Sequence, residues 1–115
     1  MHCQTVKRNK MDVIFQKDYL CELYRTGKTT DKNCRFQPGI IRKYIRIIDL
    51  MIEQPDTLAL KKYNSLNYEK LKGEKVGLSS VRVNDQYRIE FEEKNDGNQT
   101  VATICIINEL SNHYK

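Results

Sequence analysis

At 115 residues the chain has room for one domain with one modest core, and its 39% hydrophobic and 30% charged residues exclude wholesale disorder. A formal net charge of +5 and a pI of about 9.0 fit either an anionic partner (nucleic acid, an anionic membrane surface or an acidic protein) or a basic but inert surface. No apolar run reaches the roughly 18 residues that a membrane span needs, and Cys3, Cys21, Cys34, Cys105, His2 and His113 lack the spacing of a zinc site.

Residues 1–10 are basic with no apolar segment behind them, and they read as a flexible N-terminal extension; residues 11–115 read as a single domain. Without a secretory signal the thiols are expected to be free, as in a reducing cytoplasm. Residues 11–15 are expected to form a short strand with Val13 and Phe15 on one face. Asp18 is placed to cap a helix in which Leu20, Leu23 and Tyr24 fall at helical spacing, and Gly27 suits its C-terminal cap. Residues 26–37 are polar and aperiodic and read as a loop. Pro38 fits the first turn of a second helix, where its missing N–H costs nothing. From there Ile41, Ile45, Ile48 and Ile52 recur at i, i+4, i+7 and i+11, widened by Ile40, Tyr44, Ile47 and Met51. Arg42, Lys43, Arg46 and Asp49 take the other side. This stripe is read as core, in a helix ending near Gln54 and Pro55.

Residues 57–68 carry Leu58, Leu60 and Leu66, on a short helix or a covering loop. Lys61, Lys62, Lys70, Lys72 and Lys75 then form a basic cluster diluted by Glu69 and Glu74, with turns at Gly73 and Gly77. From Leu78 the hydrophobic period becomes two. Val81 and Val83 alternate with Ser80 and Arg82, and Tyr87, Ile89 and Phe91 with Arg88, Glu90 and Glu92. A two-residue loop at Asn84 and Asp85 would throw these apolar sets onto opposite faces. A three-residue loop, Asn84-Asp85-Gln86, pairs Val83 with Tyr87 and Val81 with Ile89, so the pattern selects it. Residues 95–98 signal another turn, and residues 101–107 a strand covered on both faces. A strand, two helices and an antiparallel meander make an α+β order.

Two features bear on chemistry. Thr26-Gly27-Lys28-Thr29 has the end of a phosphate-binding P-loop, but Glu22 stands where the first glycine belongs, and the segment follows a helix where a P-loop follows a strand; a nucleotide triphosphatase is rejected. The hairpin register sets Arg82 opposite Arg88. Like charges across a strand pair cost a few tenths of a kcal/mol up to roughly 1. An anion between them removes that cost, since guanidinium groups grip phosphate oxygens in pairs; alternatively Glu90 or Glu92 pairs one arginine and water solvates the other. His113, beside Tyr114, can exchange a proton near neutral pH, or simply lie exposed at the chain's end.

These residues carry a resemblance. Leu71-Lys72-Gly73, then Ser80-Val81-Arg82-Val83-Asn84, then Tyr87-Arg88-Ile89 and a final strand ending in His113-Tyr114 resemble the HigB toxins of the RelE/ParE superfamily of bacterial toxin–antitoxin systems. Residues 12–23, Gly27-Lys28 and Phe36-Gln37-Pro38 fit the same group. The resemblance implies a RelE-like α+β fold, with two N-terminal helices packed on a twisted antiparallel sheet. It implies a cytoplasmic, ribosome-dependent messenger-RNA endonuclease acting in the A site of the 70S ribosome, with no metal or organic cofactor. It also implies a HigA-type helix-turn-helix antitoxin, through which the complex would bind operator DNA, and no membrane partner. Carried over position by position, Lys72 falls near the scissile phosphate and Arg88 on the active-site arginine, with Arg82 at a position often basic. Lys70 and Lys75 add phosphate contacts. His113 and Tyr114 match a C-terminal pair that elsewhere runs Tyr-His. Some members place a histidine before Leu-Lys-Gly; Tyr68-Glu69-Lys70 stands here, which shifts weight to His113, Glu69 and the basic residues. The chemistry expected is attack of an RNA 2′-OH on its own 3′ phosphate. The alternatives from the same superfamily are a ParE-like gyrase poison and an inactive relative that only binds antitoxin.

Overall fold

The computed structural model describes residues 3–4, 11–31, 35–95, 97 and 102–112. Strand β2 (Asp12–Phe15) leads into helix α1 (Asp18–Thr26), and helix α2 (Pro38–Glu53) follows. Two 3₁₀ turns, Thr57–Lys62 and Asn64–Leu66, connect to strands β3 (Glu69–Lys70), β4 (Leu78–Arg82), β5 (Arg88–Lys94) and β6 (Ile104–Ser111). A two-residue strand β1 (Cys3–Gln4) completes one sheet in the order β1-β2-β6-β5-β4-β3. The fold class is the α+β one expected, with both helices against one face. The sheet departs from a pure meander in one pair: β2 runs parallel to β6.

Local chemistry explains most boundaries. Gly27 closes α1 in the left-handed region at φ 74°, its N–H bonded to the Leu23 carbonyl at 2.9 Å. Asp18 is the first helical residue and not the cap, which is Lys17; its charge serves the helix dipole instead. Pro38 opens α2 as expected. The buried stripe of α2 is centred on Ile40, Tyr44, Ile47, Ile48 and Met51, while Ile41, Ile45 and Ile52 flank it half-buried. Tyr44 is fully buried, and its hydroxyl donates to the Leu20 carbonyl at 2.8 Å, tying α2 to α1. Between α2 and β3, Leu60 and Leu66 enter the core and Leu58 stays half exposed.

Strand β6 runs Ile104–Ser111, further along the chain than the expected 101–107, and it holds one irregularity. Glu90 faces Glu109, yet Phe91 faces Ile107, so Asn108 is an extra residue in β6. This bulge reverses the side-chain alternation. It lets Ile107 and Leu110, three apart, both point into the core while Glu109 points away.

Two expectations at the N-terminal side change. Within the expected flexible extension, Cys3 and Gln4 pair with Phe15 and Ile14 along the outer edge of β2; residues 1–2 and 5–10 lie outside the described residues. Cys21 is disulfide-bonded and not a free thiol. Cys105 is free, buried beneath the sheet with its Sγ 3.7 Å from the Met11 sulfur.

Candidate functional site

The hairpin register is the one the hydrophobic pattern selects. Val81 faces Ile89, Arg82 faces Arg88, and the Val83 N–H reaches the Tyr87 carbonyl at 2.9 Å across Asn84-Asp85-Gln86. Asn84 builds this loop. Its side-chain oxygen accepts from the backbone N–H groups of Gln86 (2.9 Å) and Tyr87 (2.8 Å), closing an Asx turn. Its own carbonyl accepts from Arg88 Nη1 at 2.6 Å, and the Tyr87 carbonyl from the same nitrogen at 3.2 Å. The loop therefore fixes the guanidinium of Arg88 as well as the strand register. Tyr87 packs edge-on against Phe36 at 5.8 Å, toward the core as its alternation requires.

With Val81, Ile89, Phe91 and Leu110 on the helix-covered face, alternation places Ser80, Arg82, Arg88, Glu90, Glu109 and Ser111 on the other. Here Arg88 lies between Arg82 and Ser111, and Glu90 between Ser80 and Glu109. The Ser80 and Ser111 hydroxyls are buried and make no hydrogen bond among the described residues. Glu90 is 2% exposed, and Lys75 Nζ lies 2.6 Å from its carboxylate. That contact draws the turn Gly73–Lys75 toward this face, with Lys72 exposed at its start. Arg82 is ion-paired with the exposed Asp85 in the loop. Beside the glutamate-to-arginine pairing weighed for this hairpin, Glu90 thus meets Lys75 and Arg82 meets Asp85.

The expected site residues divide. Arg82, Arg88 and, through Glu90, Lys75 come together on one face. Lys70 does not join them: it faces Ser79, a core-side position, and lines a separate cleft of about 330 Å³ with Thr57, Leu58 and Tyr68. Glu69, facing Ser80, takes the arginine side. In the Lys70 cleft, Tyr68 stacks on Phe91 at 6.3 Å, and the Tyr68 and Ser79 hydroxyls both donate to Glu93. Burial, then the Glu93 carboxylate, pushes the Tyr68 phenol above its ordinary range. His113 and Tyr114 lie outside the described residues, two and three positions after Ser111. The Thr-Gly-Lys-Thr segment serves α1: Thr29 and Thr30 donate to the Glu22 carboxylate at 2.8 and 3.5 Å.

Sequence reasoning placed Ser80 and Glu90 on this face and Asn84 in the loop, but missed Ser111, the hold of Asn84 on Arg88 and the Lys75 partner of Glu90. Alternation around Arg88 carries the signal for Glu90. Nothing local announces that Lys75 reaches it across 15 residues of chain.

Chemically, the face offers two close guanidinium groups, a lysine tethered by a buried carboxylate, and small hydroxyls. Donors of this kind suit a phosphate. Among the described residues no cluster of three or more His, Cys, Asp or Glu side chains is placed to hold a metal ion.

One solved structure, a YoeB/ParE toxin from Agrobacterium tumefaciens, resembles the chain at 18% identity and a TM-score of 0.49, covering 89% of this chain and 98% of that one. No curated protein matches. A family model for RelE-like toxins of the type II toxin–antitoxin system HigB matches residues 13–104, from β2 to the start of β6. On that match the chain belongs to the HigB-like family of RelE-like toxins from type II toxin–antitoxin systems.

Proposed function

We propose that the chain is a ribosome-dependent messenger-RNA endonuclease working in the cytoplasm, and that residues 11–115 form its toxin domain. The observation that carries this reading is the Arg82–Arg88 pair, held face to face on the sheet surface opposite the helices. Two like charges set across a ladder favour an anion between them, and the RNA backbone supplies one. Arg88 and Lys72 hold the scissile phosphate with Arg82 assisting, and Lys75 positions Lys72 through Glu90.

The reaction is an internal transfer. The 2′-oxygen attacks the adjacent 3′ phosphorus, the P–O5′ bond breaks, and a 2′,3′-cyclic phosphate and a 5′-OH end result. One group takes the 2′ proton and another gives a proton to the departing O5′, while the cations stabilise charge on the pentavalent phosphorane. His113 is assigned to proton transfer, with Tyr114 second; both follow closely after Ser111, which pairs with Arg88. The antitoxin that the family implies is proposed to be a HigA-type helix-turn-helix protein, which would link the toxin to operator DNA.

Induced expression with mapping of message ends on ribosomes tests this. Wild type is expected to arrest growth and cut within codons, and Arg88→Ala and His113→Ala to lose about 10²-fold or more in cleavage. Full activity in both variants refutes the assignment. DNA breaks with intact message place the chain with the gyrase poisons instead.

A further inference from the structure

A second feature adjoins Arg82 on the other side. Between α2 and the loop end of the β4–β5 hairpin lies a cleft of about 210 Å³. Its walls are aliphatic: Ile47 and Leu50 from α2, Leu66 from the second 3₁₀ turn, and Val83 from the hairpin. Its rim is cationic, with Lys43 and Arg46 from α2 and Arg82 from β4, and no aspartate or glutamate lines it. Positions 43, 46, 47 and 50 share one helical stripe, so the sequence presents charge and apolar surface side by side. Lys43 and Arg46 are exposed and make no ion pair among the described residues.

The composition of the cleft selects among anionic occupants. RNA bases are held by stacking on aromatic rings or guanidinium planes with hydrogen bonds to their edges, and no aromatic side chain lines this cleft. A phosphate backbone would use the rim and leave the aliphatic walls unfilled. An amphipathic peptide carrying an aliphatic side chain flanked by carboxylates fills both.

We propose that this cleft seats an acidic amphipathic segment of the antitoxin. The proposal rests on the family assignment, and it adds a site and a mode of inhibition. Arg82 belongs to both the cleft and the arginine pair. A carboxylate seated at the rim competes with Asp85 and with RNA phosphate for the same guanidinium, so occupancy of the cleft is felt at the cleavage face without covering Arg88.

The test is charge reversal on α2, with Lys43→Glu and Arg46→Glu combined. The probe is the protein encoded beside the toxin gene, titrated against the wild-type chain and the double variant. Like charges set against an acidic segment are expected to weaken binding by about tenfold or more. Message cleavage by the double variant is expected to persist, which also shows that it folds, and the conservative Lys43→Arg with Arg46→Lys is expected to restore binding. Equal binding of wild type and the reversed variant overturns the cleft as the seat while leaving the family assignment intact. Loss of cleavage with antitoxin binding unchanged overturns it in favour of RNA. A wild-type chain that the neighbouring protein does not bind removes the occupant, and with it the partner under the proposed function.

Discussion

Lys75→Met puts the tether between the Lys72 turn and the sheet under direct strain. The Glu90 side chain is 3% exposed and that of Lys75 38% exposed, so the two partners respond differently to loss of the other. Removing one partner of a fully buried ion pair costs about 3–5 kcal/mol. Lys75 is partly in water, so we expect about 2 kcal/mol for Lys75→Met, which leaves a carboxylate in place without its ammonium. For a domain near this size that lowers the melting temperature by about 10 °C. Glu90→Gln is expected to cost about half as much, because the partly exposed Lys75 ammonium keeps part of its hydration. The double variant is expected to be no less stable than Glu90→Gln alone, giving a coupling energy of about 2 kcal/mol in a double-mutant cycle. Urea unfolding of the four proteins, with equal slopes, measures all three quantities. Strict additivity, or a Lys75→Met variant as stable as wild type, would refute the argument that the pair is a buried tether.

Asn84→Ala removes the acceptor for two loop N–H groups and is expected to cost about 1 kcal/mol; a fall in cleavage larger than this destabilisation explains would show that the loop also aims Arg88, and unchanged cleavage would deny it. Tyr24 donates to Asp49 at 2.6 Å, and burial followed by that carboxylate pushes its phenol up to about 12 from 10.0. The folded state therefore holds the proton longer than the unfolded one, so this contribution is fully present below pH 10 and is lost as pH rises through about 12. Alkaline unfolding curves of Tyr24→Phe should be flatter than those of wild type across that window, and identical slopes would contradict it. Burial, then Glu93, raises the Cys105 thiol above its usual range, so iodoacetamide should leave it unmodified in the native chain and label it in denaturant. Rapid native labelling of Cys105, read by mass spectrometry, would show that its burial is wrong.

The legible part of the fold was carried by periodicity. The α2 stripe and the period-two run from Val81 to Phe91 placed the largest helix, the central hairpin and its loop length, because each had one apolar face that a wrong register would expose. Alternation also brought Arg82 and Arg88 together before any coordinates. Three features were opaque. The bulge at Asn108 depends on the partner strand and not on the residues of β6 alone. The parallel pairing of β2 with β6 joins segments about 90 residues apart, and local pattern does not reach that far. Strand β3 is two exposed residues, Glu69 and Lys70, held by pairing to β4 and not by hydrophobicity, so the side of the sheet that Lys70 takes was set by a register with no sequence mark. At the site, the positive residues and the side of the sheet that Glu90 takes were readable, whereas the contact of Glu90 with Lys75 had no local mark.

The position of β6 has a consequence for the order of events during synthesis. It lies between β2 and β5, so the strand made last of the six stands in the interior of the sheet. Until residues 104–111 emerge, β2 and β5 each have an unfilled edge, and the β1-β2 and β5-β4-β3 parts of the sheet stay unjoined. Such long-range closure makes folding slow compared with helix formation, and chains fold vectorially as they are made. A nascent chain therefore holds β2 and the arginine hairpin β4–β5 as separate pieces until β6 is made. For a protein proposed to act on translating ribosomes, the face that carries Arg82 and Arg88 gains its Glu109 and Ser111 neighbours only once β6 has joined the sheet.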